Sequence, residues 1–206
     1  MIKNYFKIAW RNLAKHKLFS FINVGGLAVG MAVSFMLLLY VYNEFTYDTY
    51  HTKIDRIYQV WCNQKSDGNI NTGNSTPVQV AGVLKKDFPE IERTARANGG
   101  SDNLVNYKDK SLNVSMLSAD PEMLDIFSYT FVKGDKKTVF KDLASVIVTE
   151  SGAKAIFGDE DPMGKTFKLN NKRLVTVTGV IKDMPENSTI KFKIMGQWAM
   201  VEADQP

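Results

Sequence analysis

The sequence predicts an α+β fold: an N-terminal amphipathic helix and one transmembrane helix, followed by a mixed α/β extracytoplasmic domain. Three observations point there. Positive charge is packed into the first residues, an unbroken apolar run follows, and the remainder alternates β-rich stretches with helix-start signals. The 206 residues hold 26 Lys and Arg against 22 Asp and Glu, with a pI near 9.0. Lys3, Lys7, Arg11, Lys15 and Lys17 fall within residues 1–17, and the first acid of the chain is Glu44. The rest is close to neutral, so the basicity is a short block rather than a surface patch. That distribution suits a membrane flank and argues against nucleic-acid binding. The mean hydropathy of −0.20 averages two unlike regions.

Residues 1–17 are expected to form a cytoplasmic interfacial helix. At 100° per residue, Ile2, Tyr5, Phe6, Ala9, Trp10 and Leu13 gather on one side. Lys3, Lys7, Arg11 and Lys15 occupy the other, and Ile8 breaks the pattern. Such a helix lies flat among lipid headgroups with its bases toward anionic lipid. His16 fits as one more interfacial group.

Residues 18–43 are expected to span the membrane. No charged side chain occurs from Leu18 to Tyr42, a run of 25 residues, whereas about 20 helical residues cross the hydrocarbon core. The run ends in "LLLYVYNEF", bulky where a signal peptidase needs small residues, so an uncleaved helix is expected. Bases before it and acids after it place the N-terminus in the cytoplasm. Tyr40, Tyr42, Phe45 and Tyr47 would form the outer aromatic belt. Gly26, Gly30 and Ser34 recur at i, i+4 and i+8, a small-residue stripe of the kind that packs helices. Asn23 adds a polar group that would seek a partner in the membrane.

Residues 44–206 carry the mixed α/β pattern. "IDRIYQVWCNQ" (54–64) is β-rich, with a turn at 66–69 and a return strand. Residues 75–90 suit a helix with Thr76 as N-cap, Pro77 in the first turn, and Val80, Val83 and Leu84 as its buried stripe. "IERTARAN" (91–98) alternates weakly as a strand. Residues 103–117 suit a hairpin turning near Asp109 and Lys110. "DPEMLDIF" (120–127) suits a short helix capped by Asp120. "ASVIVTE" (144–150) is a strand, "SGAKAIF" (151–157) a helix, and residues 166–181 a hairpin turning at Asn170–Asn171. "STIKFKI" (188–194) is the last expected strand.

Several chemistries are not supported. "GDEDPMGKT" (158–166) resembles a phosphate-binding loop, but five residues separate its glycines and three of them are acids. It also follows a helix and precedes a strand, the reverse of the required context, so it is expected to be a structural turn. The calcium-loop spacing is absent. His16 and His51 lie on opposite sides of the expected membrane helix. No nucleophile–histidine–acid set, paired zinc ligands or dinucleotide fingerprint occurs. Cys62 is the only cysteine and is expected to be a small buried hydrophobe. Glycosylation-type triplets at Asn74, Asn113 and Asn187 carry little weight in an Asn-rich chain. No enzyme, cofactor or metal is expected of these residues.

The stretches "FKIAWRNLAKHKLFSFINVGGLAVGMA", "IYQV" and "FPEIERTAR" nevertheless form a recognisable series. It continues with "DPEMLDIFSYTFVKGD", "SVIVTESGAKAIFGDEDPMGKTF" and "VTGVIKDMPENSTIKF". In this order and spacing they resemble the N-terminal part of MacB-like (FtsX-type) ABC transporter permeases, particularly those typical of Bacteroidetes. The resemblance implies a permease subunit of the inner membrane with residues 44–206 as a periplasmic MacB-like core domain. It further implies a second permease copy, a cytoplasmic ABC ATPase on a separate subunit or domain, and a periplasmic adaptor or envelope cargo. Such permeases carry further membrane helices after the periplasmic domain, so this domain is expected to be incomplete at its C-terminus. The competing expectation is a single-pass, membrane-anchored periplasmic binding or sensor module.

Overall fold

The computed structural model describes residues 2–203, apart from the surroundings of Ile2 and Gly100. Two compact units divide at Tyr47 and Asp48. The first contains α1 (Ile2–Lys15) and α2 (Lys17–Phe45). Alternating cationic and apolar positions make α1 amphipathic, as its spacing predicts; Ile2, placed on that apolar face by the sequence, lies outside the described side chains. Helical geometry is interrupted at His16, where φ is −110° and ψ is 58°. The Ser20 hydroxyl donates to the Leu13 carbonyl at 3.0 Å, satisfying one of the acceptors that the end of α1 leaves open. No residue of the 29-residue α2 is buried.

The second unit is built around one sheet of seven strands. These are β3 (Ala97–Tyr107), β4 (Lys110–Ala119), β5 (Phe131–Lys133), β6 (Ser145–Thr149), β7 (Thr166–Leu169), β8 (Arg173–Ile181) and β9 (Ile194–Gln197). Pairing runs β8–β6–β9–β4–β3–β7 and returns to β8, because the first half of β8 pairs with β7 and the second half with β6. Six strands thereby close on themselves, which removes the exposed edges of an open sheet. β5 adds to the free side of β8. Both parallel pairings, β4–β9 and β6–β8, lie inside this ring.

Alternation along the central strands feeds two cores. Val146 and Val148 of β6 join Val114 and Met116 of β4, Ile194 of β9, and Ile156 and Phe157 of α5 (Glu150–Phe157). Ile147, Leu117, Ala119 and Met195 point the other way, onto Met123 and Leu124 of α4 (Met123–Ile126). β6 is therefore apolar without alternation because it is covered on both faces. It ends at Thr149, whose hydroxyl accepts the Gly152 amide at 3.0 Å and caps α5.

The 166–181 hairpin turns at Asn170 and Asn171, both at positive φ, which asparagine tolerates better than most residues. The 103–117 hairpin turns one residue earlier than expected, at Lys108–Asp109. The 158–166 loop is a turn, with Gly158 and Gly164 at positive φ.

Other expectations need correction. In 54–64 only β1 (Cys62–Ser66) is strand; Ile54–Arg56 forms a single tight turn. Local bonds from the Ile54, Arg56 and Ile57 amides to the His51, Lys53 and Ile54 carbonyls hold that turn against the β preference of the stretch. β1 pairs solely with β2 (Asn69–Gly73), outside the main sheet. The helix expected over 75–90 is α3 (Val80–Asp87); Gln79 precedes it and Thr76 does not cap it. Val80 and Leu84 are only half-buried, Val83 is exposed, and Cys62 is half-buried rather than buried. Residues 91–96 are irregular, and 188–193 form a connection to β9 rather than a strand. There Lys193 donates to the Ser115 carbonyl and accepts from Thr149. β5 and α6 (Trp198–Ala203) were not expected.

Close approach makes Gly152 sensitive: a Cβ there would lie 2.6 Å from the Lys193 carbonyl oxygen. Gly152→Ala is expected to destabilise the domain by about 1–3 kcal/mol, read as a lower denaturation midpoint of the full chain in detergent. Gly82→Ala, with nothing within 4 Å of its added carbon, should hold or raise the midpoint.

Candidate functional site

The residues singled out in the first unit are exposed. Lys3, Lys7 and Arg11 flank a shallow surface groove on α1 with Phe6 and Trp10, so bases and aromatic rings share one stretch of helix. Lys15 and Lys17 bracket the break at His16. On α2 the amide of Asn23 donates to the Phe19 carbonyl at 2.9 Å, and the Ser34 hydroxyl to the Gly30 carbonyl at 2.9 Å. Both polar groups thus find a partner one turn back in their own helix. A Cβ added at Gly26 or Gly30 would meet nothing within 4 Å. The small-residue stripe is uncovered among the described residues.

In the second unit, the chain just past α2 is fastened to the domain by a hydrogen-bonded cluster. Asp48, at φ 55°, donates its amide to the Asn187 carbonyl at 3.0 Å. Its carboxylate accepts from the Thr189 amide at 2.9 Å and the Ser188 hydroxyl at 3.3 Å. The Tyr50 hydroxyl and Ser188 Oγ are 2.9 Å apart. His51 is 2% exposed and lies against Tyr50, Phe127 and Tyr129, with ring centroids 3.8, 4.9 and 6.2 Å away. Its Nδ1 accepts the Ser128 amide at 3.1 Å, while the Thr52 amide donates to the Ser128 hydroxyl at 3.0 Å. Burial lowers the imidazole pKa, opposed in part by the charge of Asp48. Burial also raises the Tyr50 and Tyr129 hydroxyls, and the buried Tyr129 hydroxyl has no hydrogen-bond partner among the described residues.

Beside this cluster is a cavity of about 270 Å³ lined by Thr52, Lys53, Arg93, Asp125, Ser128 and Lys136, among others. Its cations are engaged: Lys136 and Arg93 hold Asp125 at 2.6 and 3.1 Å, and Lys53 approaches Glu92 at 3.9 Å. Lys136 foremost, then Arg93 and Lys53, keep the Asp125 carboxyl below its ordinary range.

Asp120 does not cap α4 as expected. Its carboxylate accepts the amide, Nε and Nη2 of Arg96 at 2.8–2.9 Å. Arg96 also reaches Glu202 at 2.5 Å and lies 5.1 Å from the centre of the Trp198 ring, a cation–π distance. Elsewhere Glu160 pairs with Lys108, Lys165 and Tyr107; Lys108 first, then Lys165, pull its carboxyl down to about 2. Among the described residues no group of three or more His, Cys, Asp or Glu could hold a metal. Neither the His51 cluster nor the Arg96–Asp120 pair is legible in the sequence. The one available signal was a lone histidine set between Tyr50 and Thr52.

Residues 20–205 match the family model for the MacB-like periplasmic core domain. The chain belongs to that family. Macrolide export ATP-binding/permease proteins MacB from Neisseria gonorrhoeae and Neisseria meningitidis are each 25% identical over 120 residues. The match takes in 57% of this chain and 18% of theirs, so the chain spans under a fifth of these relatives. A crystallised domain of a protein assigned as a permease, from Porphyromonas gingivalis, superposes with a TM-score of 0.57 at 23% identity. That superposition covers 64% of this chain and 56% of the other. The periplasmic region of MacB from Actinobacillus actinomycetemcomitans gives 0.48 at 22% identity, covering 62% and 57%. The fold is thus the mixed α+β arrangement of MacB-like core domains behind one N-terminal apolar helix.

Removing Asp120 should release α6. Asp120→Ala is expected to lower stability by about 1.5–3 kcal/mol and to accelerate hydrogen exchange of the α6 amides. Because its folded-state pKa is depressed, Glu160 contributes stability above its ordinary value that is lost as pH falls toward about 2. A carboxyl titration followed by NMR should place its midpoint below those of unpaired glutamates, and Lys108→Ala should raise it.

Proposed function

We propose that this chain is the N-terminal part of a permease subunit of a MacB/FtsX-type ABC transporter. In this proposal α2 crosses the inner membrane, residues 1–17 face the cytoplasm, and residues 44–206 form the periplasmic core. The observation that carries it is the family match over residues 20–205, in a chain whose α2 is long and apolar enough to cross a membrane. Cytoplasmic ATP hydrolysis, on a partner ATPase subunit or domain, would be coupled through the permease to conformational change in the periplasmic domain. Export or envelope-cargo handling would follow, with a second permease copy and a periplasmic adaptor or cargo completing the assembly. Nucleic acid has no place in it.

Each candidate residue has a part. Lys3, Lys7, Arg11, Lys15 and Lys17 would set topology and hold α1 to anionic lipid. Asn23, Gly26, Gly30 and Ser34 would form the helix-packing face on α2. One observation favours the rival, a single-pass anchored binding or sensor module. Asn23 and Ser34 already bond within their own helix, so neither demands a second helix.

Helix packing separates the two. In the full-length protein, Gly26→Leu with Gly30→Leu is expected to reduce cross-linked permease dimers and transport at least tenfold while leaving membrane insertion intact. Unchanged assembly and transport would overturn the packing role of this face. Replacing the five bases with Gln should produce a mixed orientation in a topology reporter, in keeping with the positive-inside rule.

A further inference from the structure

His51 is a titratable group sealed in an aromatic setting at the start of the second unit. Its Nδ1 accepts the Ser128 amide, so the neutral ring carries its hydrogen on Nε2. A second proton can enter only at Nδ1, the atom that already faces an N–H. We propose that His51 is an acid-sensitive latch, whose protonation replaces the Ser128 bond with a donor–donor contact and frees residues 48–56 from the 127–129 segment.

The surroundings isolate this titration. On its own segment the ring meets Tyr50, with Asp48 the charged neighbour; the segment after α4 supplies Phe127 and Tyr129. Burial keeps both tyrosines neutral near pH 7. The 187–189 loop contributes the Ser188 hydroxyl and backbone groups to the same fastening. In the adjacent cavity Lys53, Arg93 and Lys136 are taken up by Glu92 and Asp125. Histidine is the side chain whose ordinary pKa puts its charge change between pH 5 and 8, and here burial outweighs the help of Asp48.

The sign follows. A histidine whose docked pKa is depressed stabilises docking above its free value, and that stability is lost as pH falls from 6.5 toward the docked pKa. The docking constant should fall about tenfold for each unit separating the two values. Freed from the ring, residues 48–56 would also lose the Thr52–Ser128 bond.

The test uses the full chain in lipid nanodiscs, with histidine-labelled NMR and hydrogen exchange from pH 7.5 to 5, corrected for intrinsic exchange. The latch predicts a His51 midpoint below 6.5 and an acid-dependent loss of protection at Ser128 and residues 48–56. His51→Asn offers an acceptor oxygen but cannot titrate, and its protection should be independent of pH. A His51 midpoint at or above the free value, or the same acid-dependent loss in His51→Asn, overturns the proposal. If His51→Asn does not fold, the wild-type midpoint and exchange decide alone. None of these measurements depends on the transporter assignment.

Discussion

Strand β6 is the constraint on which the second unit depends. All five of its residues are buried, and Val146, Ile147 and Val148 are 0% exposed. A strand covered on both faces must be surrounded, so β8 and β9 flank it and helices cover its two sides. Closure through β7 follows from the same demand, because β8 bends past β6 and offers its other half to a new partner. A bulge at Thr178 accommodates that course, with the threonine hydroxyl donating to the Val139 carbonyl. Substituting polarity at Val146 or Val148 would strike one core, and at Ile147 the other.

Long-range polar contacts then attach what the cores cannot reach. Asp48, Tyr50 and His51 fasten the first residues of the unit to loops far away in sequence, and Arg96 joins the entrance of β3 to α6. In the cavity beside the first set, Lys136 and Arg93 are paired with Asp125 and Lys53 with Glu92. What the geometry of these two sets offers is attachment. His51 adds to this attachment a titratable ring whose pKa burial lowers.

The sequence spoke clearly where local physics decides. The apolar run of α2, the amphipathic spacing of α1 and the paired asparagines at 170–171 each carry their own explanation within a few residues. It spoke poorly where distant partners decide. "IDRIYQV" misled even locally: it is rich in β-formers, yet its beginning is a turn closed by bonds back to His51, Lys53 and Ile54. Asp120 precedes a proline as a cap should, but Arg96 captures its carboxylate first. The brevity of β5 left no pattern to detect, and the expectation of strand in 188–194 ended where the actual strand begins. For the candidate residues, charge and small-residue spacing were visible in α1 and α2. The burial of His51 was not, because its aromatic neighbours come from positions 127 and 129.

The β1–β2 hairpin pairs with nothing but itself, and its first residue, Cys62, is the only thiol in the chain. Within these 206 residues one cysteine therefore marks one element. A maleimide dye or spin label there reports on one element outside the closed ring of strands, with no second cysteine among these 206 residues. Movements of the hairpin can therefore be followed spectroscopically without first stripping cysteines from the core.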